Sequence, residues 1–337
     1  MALKHLAALL AALAAMGLAA CDGSGTPDPQ PAPDIPDAGP TVDTPQAPPA
    51  GGETEPPIAE RVDLPPYGEP PVWTVADEDT TVYLFGTVHI LKPETEWQSK
   101  SLIGALAASD VIYFEADVTS PEATANMARL VPQLGLLPPG EKLSDLLSPE
   151  ELKEVEEAAG LIGLPIAALE PMKPWLATVQ MSVLALQQQG YSPDSGVEIT
   201  LTGLAKQQGK TFRYLESAEE QLGFFANLPM PDQVDFLVVS AVQIEDEPHM
   251  LDALVTEWAE GDVDDLAHLM SEPDAMGSEA VYDNLIVTRN ANWTEEIKTL
   301  MAEEAGSFFI AVGAAHLAGE DSVIAMLRAD GYEVDGP

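Results

Sequence analysis

Proline placement confines any fold in this 337-residue chain to the part after Pro71: fifteen of its 30 prolines lie between Pro27 and Pro71. The other positions from Asp22 to Pro71 are mostly Asp, Glu, Gly, Thr and Ala, with almost no aliphatics. Such a stretch lacks the apolar surface to offset the entropy of ordering it, so residues 21–71 are expected to form an extended, self-repelling tether. The folded domain is therefore expected over residues 72–337, and a chain that is 46% hydrophobic can supply its core.

The first twenty residues belong to no expected fold. Lys4 and His5 precede an apolar run from Leu6 to Ala20 that ends at Leu18-Ala19-Ala20-Cys21. A basic start, a short apolar run and a small-residue junction make a secretory leader over residues 1–20, and the run is shorter than the about 20 residues that span a bilayer. Leu18-Ala19-Ala20-Cys21 resembles the bacterial lipobox, in which the cysteine becomes a lipidated first residue. Cys21 is the only cysteine, which rules out an internal disulfide. The expectation is a membrane anchor at Cys21, made durable by more than one acyl chain, in the periplasm-facing envelope of a Gram-negative-type bacterium. Asp22 resembles an inner-membrane sorting residue.

Fourteen basic residues against 56 acidic ones give a formal charge of −42. No basic stripe remains to neutralise phosphates, so nucleic acid is excluded as a partner. The charge reads as a solvated acidic surface.

After Pro71, short β-rich runs alternate with longer helical ones. Strands are expected at 72–76, 81–86, 110–115, 211–216, 307–313 and 332–334. Helices are expected at 94–108, 148–159, 173–189, 196–208, 232–243, 250–260, 278–304 and 321–329. Several strands are unbroken apolar runs, as suits a sheet covered on both faces. The fold class is thus α/β with a largely parallel sheet. No strand is expected between Glu216 and Ser307, which reads as a helical insertion or lid. Tyr83-Leu-Phe-Gly86-Thr-Val-His89-Ile90 aligns with Ile310-Ala-Val-Gly313-Ala-Ala-His316-Leu317, and Val111–Glu115 with Phe212–Glu216. These matches suggest two related strand-helix-strand halves.

In parallel sheets, ligands bind beyond the carboxyl ends of the strands. Four expected strands end there in a polar group: His89, Glu115, Glu216 and His316. Each histidine follows a glycine that permits an unusual backbone angle or a close approach. Two imidazoles with one or two carboxylates suit a divalent transition metal, and equally an acid–base site. His249 and His268 sit in acidic helical segments and receive no role. Asp262-Val-Asp264-Asp265 lacks the glycine and terminal glutamate of a calcium loop and reads as a helix cap. Trp175, Trp258 and Trp293 read as packing residues.

The ordered set Gly86-Thr87-Val88-His89, Phe114-Glu115-Ala116-Asp117, Lys173-Pro174-Trp175, Gly196-Val197-Glu198, Gly209-Lys210, Leu215-Glu216, Gln221, Arg289-Asn290, Trp293 and Ala311–Gly319 resembles the TraB/GumN family over the whole domain. That family is similar to the animal Tiki proteases and to the erythromycin esterase/ChaN-like fold. The resemblance implies a metal-dependent hydrolase acting on peptide or other amide or ester bonds. It implies His89, His316 and Glu115 as ligands of a divalent Mn, Zn or Co ion, with Glu115, Glu216 and Arg289 in catalytic roles. Glu198 stands where the family usually has aspartate and keeps the carboxylate. The family supplies no substrate, so a peptide or small molecule is expected. The rival expectations are a binding module that sequesters a peptide, haem or metal without turnover, and a structural envelope protein.

Overall fold

A computed structural model describes residues 69–246, 249–270 and 276–337. The expected leader, Cys21, Asp22 and the tether up to residue 68 lie outside the described residues. Six strands, β1 (Val72–Ala76), β2 (Thr80–Thr87), β3 (Val111–Phe114), β4 (Thr211–Tyr214), β5 (Gly306–Gly313) and β6 (Val334–Asp335), form one sheet in the order β4-β3-β5-β2-β1-β6. β4, β3, β5 and β2 run parallel, whereas β1 is antiparallel to both of its neighbours. The α/β class and the largely parallel sheet are as the sequence led us to expect. The antiparallel edge has a local cause: Asp77 Oδ1 accepts the Asp79 and Thr80 amides, and this tight turn folds β1 straight back on β2.

The helices are α1 (Lys100–Ala108), α2 (Pro121–Gly135), α3 (Pro149–Leu161), α4 (Ile166–Leu169), α5 (Pro174–Gln188), α6 (Val197–Gln207), α7 (Ala218–Ala226), α8 (Met230–Asp246), α9 (Met250–Glu260), α10 (Val263–Met270), α11 (Glu279–Tyr282), α12 (Thr288–Glu303) and α13 (Val323–Ala329). The sequence reading omitted α2, α4, α7 and α10. It also ran one helix from 278 to 304, where a π turn over Asp283–Val287 separates α11 from α12. Ser148 and Glu151 form the anticipated capping box of α3, and Asp262 Oδ1 caps α10 by accepting the Asp265 amide.

Successive residues of β2 and β5 enter different cores, which is why these strands read as unbroken apolar runs. Phe85 and Phe309 join Trp97, Trp175 and Trp258 on one face; Leu84, Phe308 and Ile310 join Trp293, Ile297, Ile324 and Leu327 on the other. A third core gathers α3, α5 and α8 around Val155, Met181 and Leu237. No strand interrupts the described residues between Glu216 and Gly306, as expected for the insertion. One part of it packs as that third core; another docks on β2 through the Trp258 indole, which donates to the Gly86 carbonyl at 2.8 Å. No described helix is long and apolar enough to cross a membrane.

Candidate functional site

The four parallel strands deliver their carboxyl ends to one edge. Register sets Thr87 beside Gly313 and Phe114 beside both Ala311 and Tyr214. Glu115 therefore arrives level with the end of β5, where its Oε1 accepts the Gly313 amide at 2.7 Å. The ladder runs on past β4, as the Glu216 amide donates to the Glu115 carbonyl at 2.7 Å. His89, Glu115, Glu216, Arg289 and His316 all meet at this edge. Neither Gly86 nor Gly313 has a positive φ, so of the two roles open to these glycines the structure uses close approach. A Cβ on Gly313 would lie 3.2 Å from Glu115 Oε1, 3.5 Å from His316 Cδ2 and 3.7 Å from His89 Nε2. The glycine keeps open a cradle that two imidazoles and a carboxylate share.

The two histidines occupy opposite environments. His89 Nδ1 lies 2.6 Å from Glu198 Oε1, and the Thr87 hydroxyl donates to the same oxygen. Glu198 sits in the first turn of α6, whose start is pinned by the Val197 amide donating to the Val88 carbonyl. Gly196 allows this approach, since a Cβ there would run into the His89 carbonyl oxygen. Burial disfavours charge on His89, but the charge and hydrogen bond of Glu198 outweigh it and lift the pKa to about 9. His316 faces Arg289 instead. Burial, reinforced by that guanidinium, pushes its pKa down to about 3. Its Nδ1 donates to Asn290 Oδ1 at 2.6 Å, and the Asn290 amide is fixed in turn by donating to the Asp321 carbonyl. His316 is therefore neutral with its proton on Nδ1, so Nε2 can accept from Arg289 Nη1 at 3.1 Å.

Arg289 is the centre's own cation. It grips Glu216 with two parallel bonds, Nε to Oε1 at 2.8 Å and Nη2 to Oε2 at 2.9 Å, and Nη2 also reaches Glu115 Oε2 at 2.6 Å. Its Cζ lies 4.6 Å from the Trp293 ring centroid, and that ring is 4.5 Å from the His316 imidazole. Trp293, expected only to pack, forms a wall of the site. Burial works against ionisation of Glu115, yet Arg289 and the histidines hold its pKa at about 2; burial pushes Glu216 upward against the pull of Arg289. Gln221 Nε2 donates to Glu115 Oε2 at 3.1 Å. The site is almost closed: Arg289 is 1% exposed, His316 2% and Glu115 5%, whereas the His89 side chain keeps 19%. Approach must come from the His89 side. A cleft of about 730 Å³ beside Leu317 is lined by none of the five site side chains.

The donor set fits a divalent transition metal in part. Both imidazoles are tied back through Nδ1, which turns their Nε2 atoms to the centre, as partners of metal-bound histidines do. His89 Nε2 and Glu115 Oε1 both lie beside Gly313 without a bond to Arg289, and these two donors fit. His316 Nε2 does not fit as placed, because Arg289 already uses its lone pair. Among the described residues, trios of metal-type donors all within 4.8 Å of one another occur at Glu154, Glu157 and Glu245 and at Glu257, Asp262 and Asp265, and not at His89, Glu115 and His316. His249 and His268 are exposed, and His249 lies 3.5 Å from Asp252. Glu198, Asn290 and Gln221 join the site beyond the residues expected there; Glu198 at the start of a helix after a glycine is the clue the sequence offers.

A model of the TraB/PrgY/gumN family matches residues 71–336. The uncharacterized protein YbaP of Escherichia coli (strain K12) is 25% identical over 248 residues, which cover 73% of this chain and 87% of YbaP. YbaP of Shigella flexneri matches to the same extent. Metalloprotease TIKI1 of Danio rerio is 26% identical over 314 residues, 78% of this chain and 62% of TIKI1. No solved structure matches the chain.

Proposed function

The chain belongs to the TraB/PrgY/gumN family, and from that premise we propose that it is a metal-dependent hydrolase of peptide or other amide or ester bonds. The observation that carries this reading is the meeting of Glu115, His89 and His316 around Gly313, where a Cβ would lie 3.2 Å from Glu115 Oε1, 3.7 Å from His89 Nε2 and 3.5 Å from His316 Cδ2. The metalloprotease name of TIKI1 supports it. His89 Nε2 and Glu115 Oε1 would hold the ion, and a divalent metal so held lowers the pKa of bound water or polarises a carbonyl.

The chain's own groups have separate tasks. Glu198 orients the His89 ring and, by raising its pKa, keeps a second proton on it at neutral pH. Loading His89 Nε2 with metal must therefore release a proton, and affinity should rise with pH. Asn290 sets the His316 tautomer. Arg289 neutralises carboxylates that would otherwise be buried unpaired. Attachment to the bacterial envelope through a lipidated Cys21 completes the reading; its support is the Leu18-Ala19-Ala20-Cys21 junction.

Metal content of protein purified without chelators, measured beside turnover of a peptide library, tests the proposal. We expect a stoichiometric transition metal and turnover in the wild type, both lost in His89→Ala. Stoichiometric metal without turnover would favour the second reading, a sequestering module, for which the near closure of the site speaks. Neither metal nor turnover would reject the hydrolase.

A further inference from the structure

We propose that Gln221 selects amide over ester substrates at this centre by accepting, at its Oε1, the N–H of the scissile amide. The inference rests on the hydrolase reading above and narrows its substrate class. Gln221 is only 4% exposed, and its Nε2 donates to Glu115 Oε2 at 3.1 Å. Glu115 is ion-paired with Arg289, so its carboxylate only accepts, and the Gln221 amide must turn its NH₂ group toward it. That fixes Oε1 as the acceptor of the side chain. Among the buried side-chain oxygens of the centre it alone has no donor.

The other donors bonded to Glu115 are already committed. Arg289 spends all five of its N–H bonds: Nε on Glu216 Oε1, Nη1 on the Leu285 carbonyl and His316 Nε2, and Nη2 on Glu115 Oε2 and Glu216 Oε2. The Gly313 amide is held by Glu115 Oε1. Gln221 itself is fixed, since it lies in the first turns of α7, which Ser217 and Glu220 close with a capping box, and its backbone amide donates to the Ser217 carbonyl at 3.0 Å. A buried acceptor without a donor is costly, and a ligand that brings the donor is rewarded for it. Oε1 shares one planar amide with Nε2, so a group bound against Glu115 lies next to it. A peptide or other secondary amide carries an N–H on the nitrogen that leaves, and the released amine keeps it, so the bond lasts through cleavage. An ester puts an oxygen there, whose lone pairs face those of Oε1.

The test gives the detergent-solubilised full chain, purified without chelators, a set of N-acetyl amino-acid amides of aminomethylcoumarin and the matching methylumbelliferyl esters. Each pair differs at the scissile bond only in N–H against O. Every kcat/KM is divided by the rate constant of the probe's own uncatalysed hydrolysis. We expect the wild type to accelerate the amides over the esters by about 10⁴-fold, the margin by which a site built around a substrate N–H rejects an analogue lacking it. Gln221→Met fills a similar volume without an acceptor. It frees Glu115 from one bond and slows both probes, but it should also cut the margin by about a hundredfold or more. A Gln221 that only positions Glu115, or whose Oε1 serves only a water, would slow both probes by the same factor. An unchanged margin in Gln221→Met, or no margin in the wild type, overturns the proposal while leaving the hydrolase standing. Should Gln221→Met fail to fold by circular dichroism, the wild-type margin decides alone. Turnover of neither probe by the wild type overturns the hydrolase reading itself, and this proposal with it.

Discussion

Two histidines at equivalent places in the sequence are driven in opposite directions by one partner each: Glu198 raises His89 to about 9, and burial beside Arg289 lowers His316 to about 3. The native state thus binds a proton at His89 more tightly than the unfolded chain does. That contribution to stability is complete below the ordinary value of 6.5 and is lost as pH climbs through about 9. At His316 the native state refuses a proton that the unfolded chain accepts, so its contribution is complete above 6.5 and is lost as pH falls toward about 3. Glu115 adds to the acid loss between its ordinary 4.5 and about 2. Thermal melts from pH 4 to 10 should show His89→Gln flattening the alkaline decline while sparing the acid one. Equal alkaline declines in the two proteins would remove Glu198 as the cause. The positions of His89, Glu115, Glu216 and His316 were legible because each follows an expected strand, and parallel strands share an edge. Glu198, Asn290 and Gln221 were not, because they reach the site from helices whose docking angle no local pattern records.

α6 is the element on which the His89 environment depends, and Gly196 is its hinge against β2. Gly196→Ala would drive a Cβ into the His89 carbonyl, so the start of α6 must shift and carry Glu198 away. Overpacking of this kind costs about 1–3 kcal/mol. The expected outcome is a lower melting temperature together with a His89 pKa, followed by NMR titration, that falls from its raised value. A lowered melting temperature with an unmoved His89 would show that α6 and the histidine are uncoupled. Ser148→Ala supplies the contrast. It removes the capping box of α3, should cost about 1 kcal/mol and about 2–4 °C, and should leave His89 untouched. Element boundaries were readable where caps and periodicity agree, as in α9. They failed at α2, where Pro132 lies inside the helix and Pro121 opens it. The π turn escaped because residues 278–304 keep a helical period straight through it; only packing reveals the extra residue.

For the molecule as a whole, sequence indicated strand direction but not strand order, since the order β4-β3-β5-β2 depends on how each crossover packs. Along the chain the edge groups come as His89, Glu115, Glu216, His316, and the sheet sets the two histidine-bearing strands side by side. The charge of −42 acts on this same scale. The basic side chains are few and much used: Lys92 pairs with Asp252, Lys153 with Glu157, Arg213 with Glu304, Lys298 with Glu295 and Asp330, and Arg289 is spent inside. Most of the 56 carboxylates therefore have no basic residue to match them, since the chain holds only 14. One such place is the partly exposed trio of Glu154, Glu157 and Glu245, where α3 meets α8. Unfolding moves these charges apart, so their repulsion lowers stability, and salt weakens it by shortening the screening length from about 30 Å at 0.01 M to about 8 Å at 0.15 M. Surface ion pairs respond in the opposite sense, but each contributes only about 0–1 kcal/mol. The melting temperature should consequently rise as sodium chloride is raised from about 0.01 M toward 0.15 M. Glu154→Lys should raise it at the lowest salt and show a smaller gain on salt addition. A melting temperature that falls with salt in the wild type would mean that the ion pairs, and not the surplus of carboxylates, govern the electrostatics of the folded state.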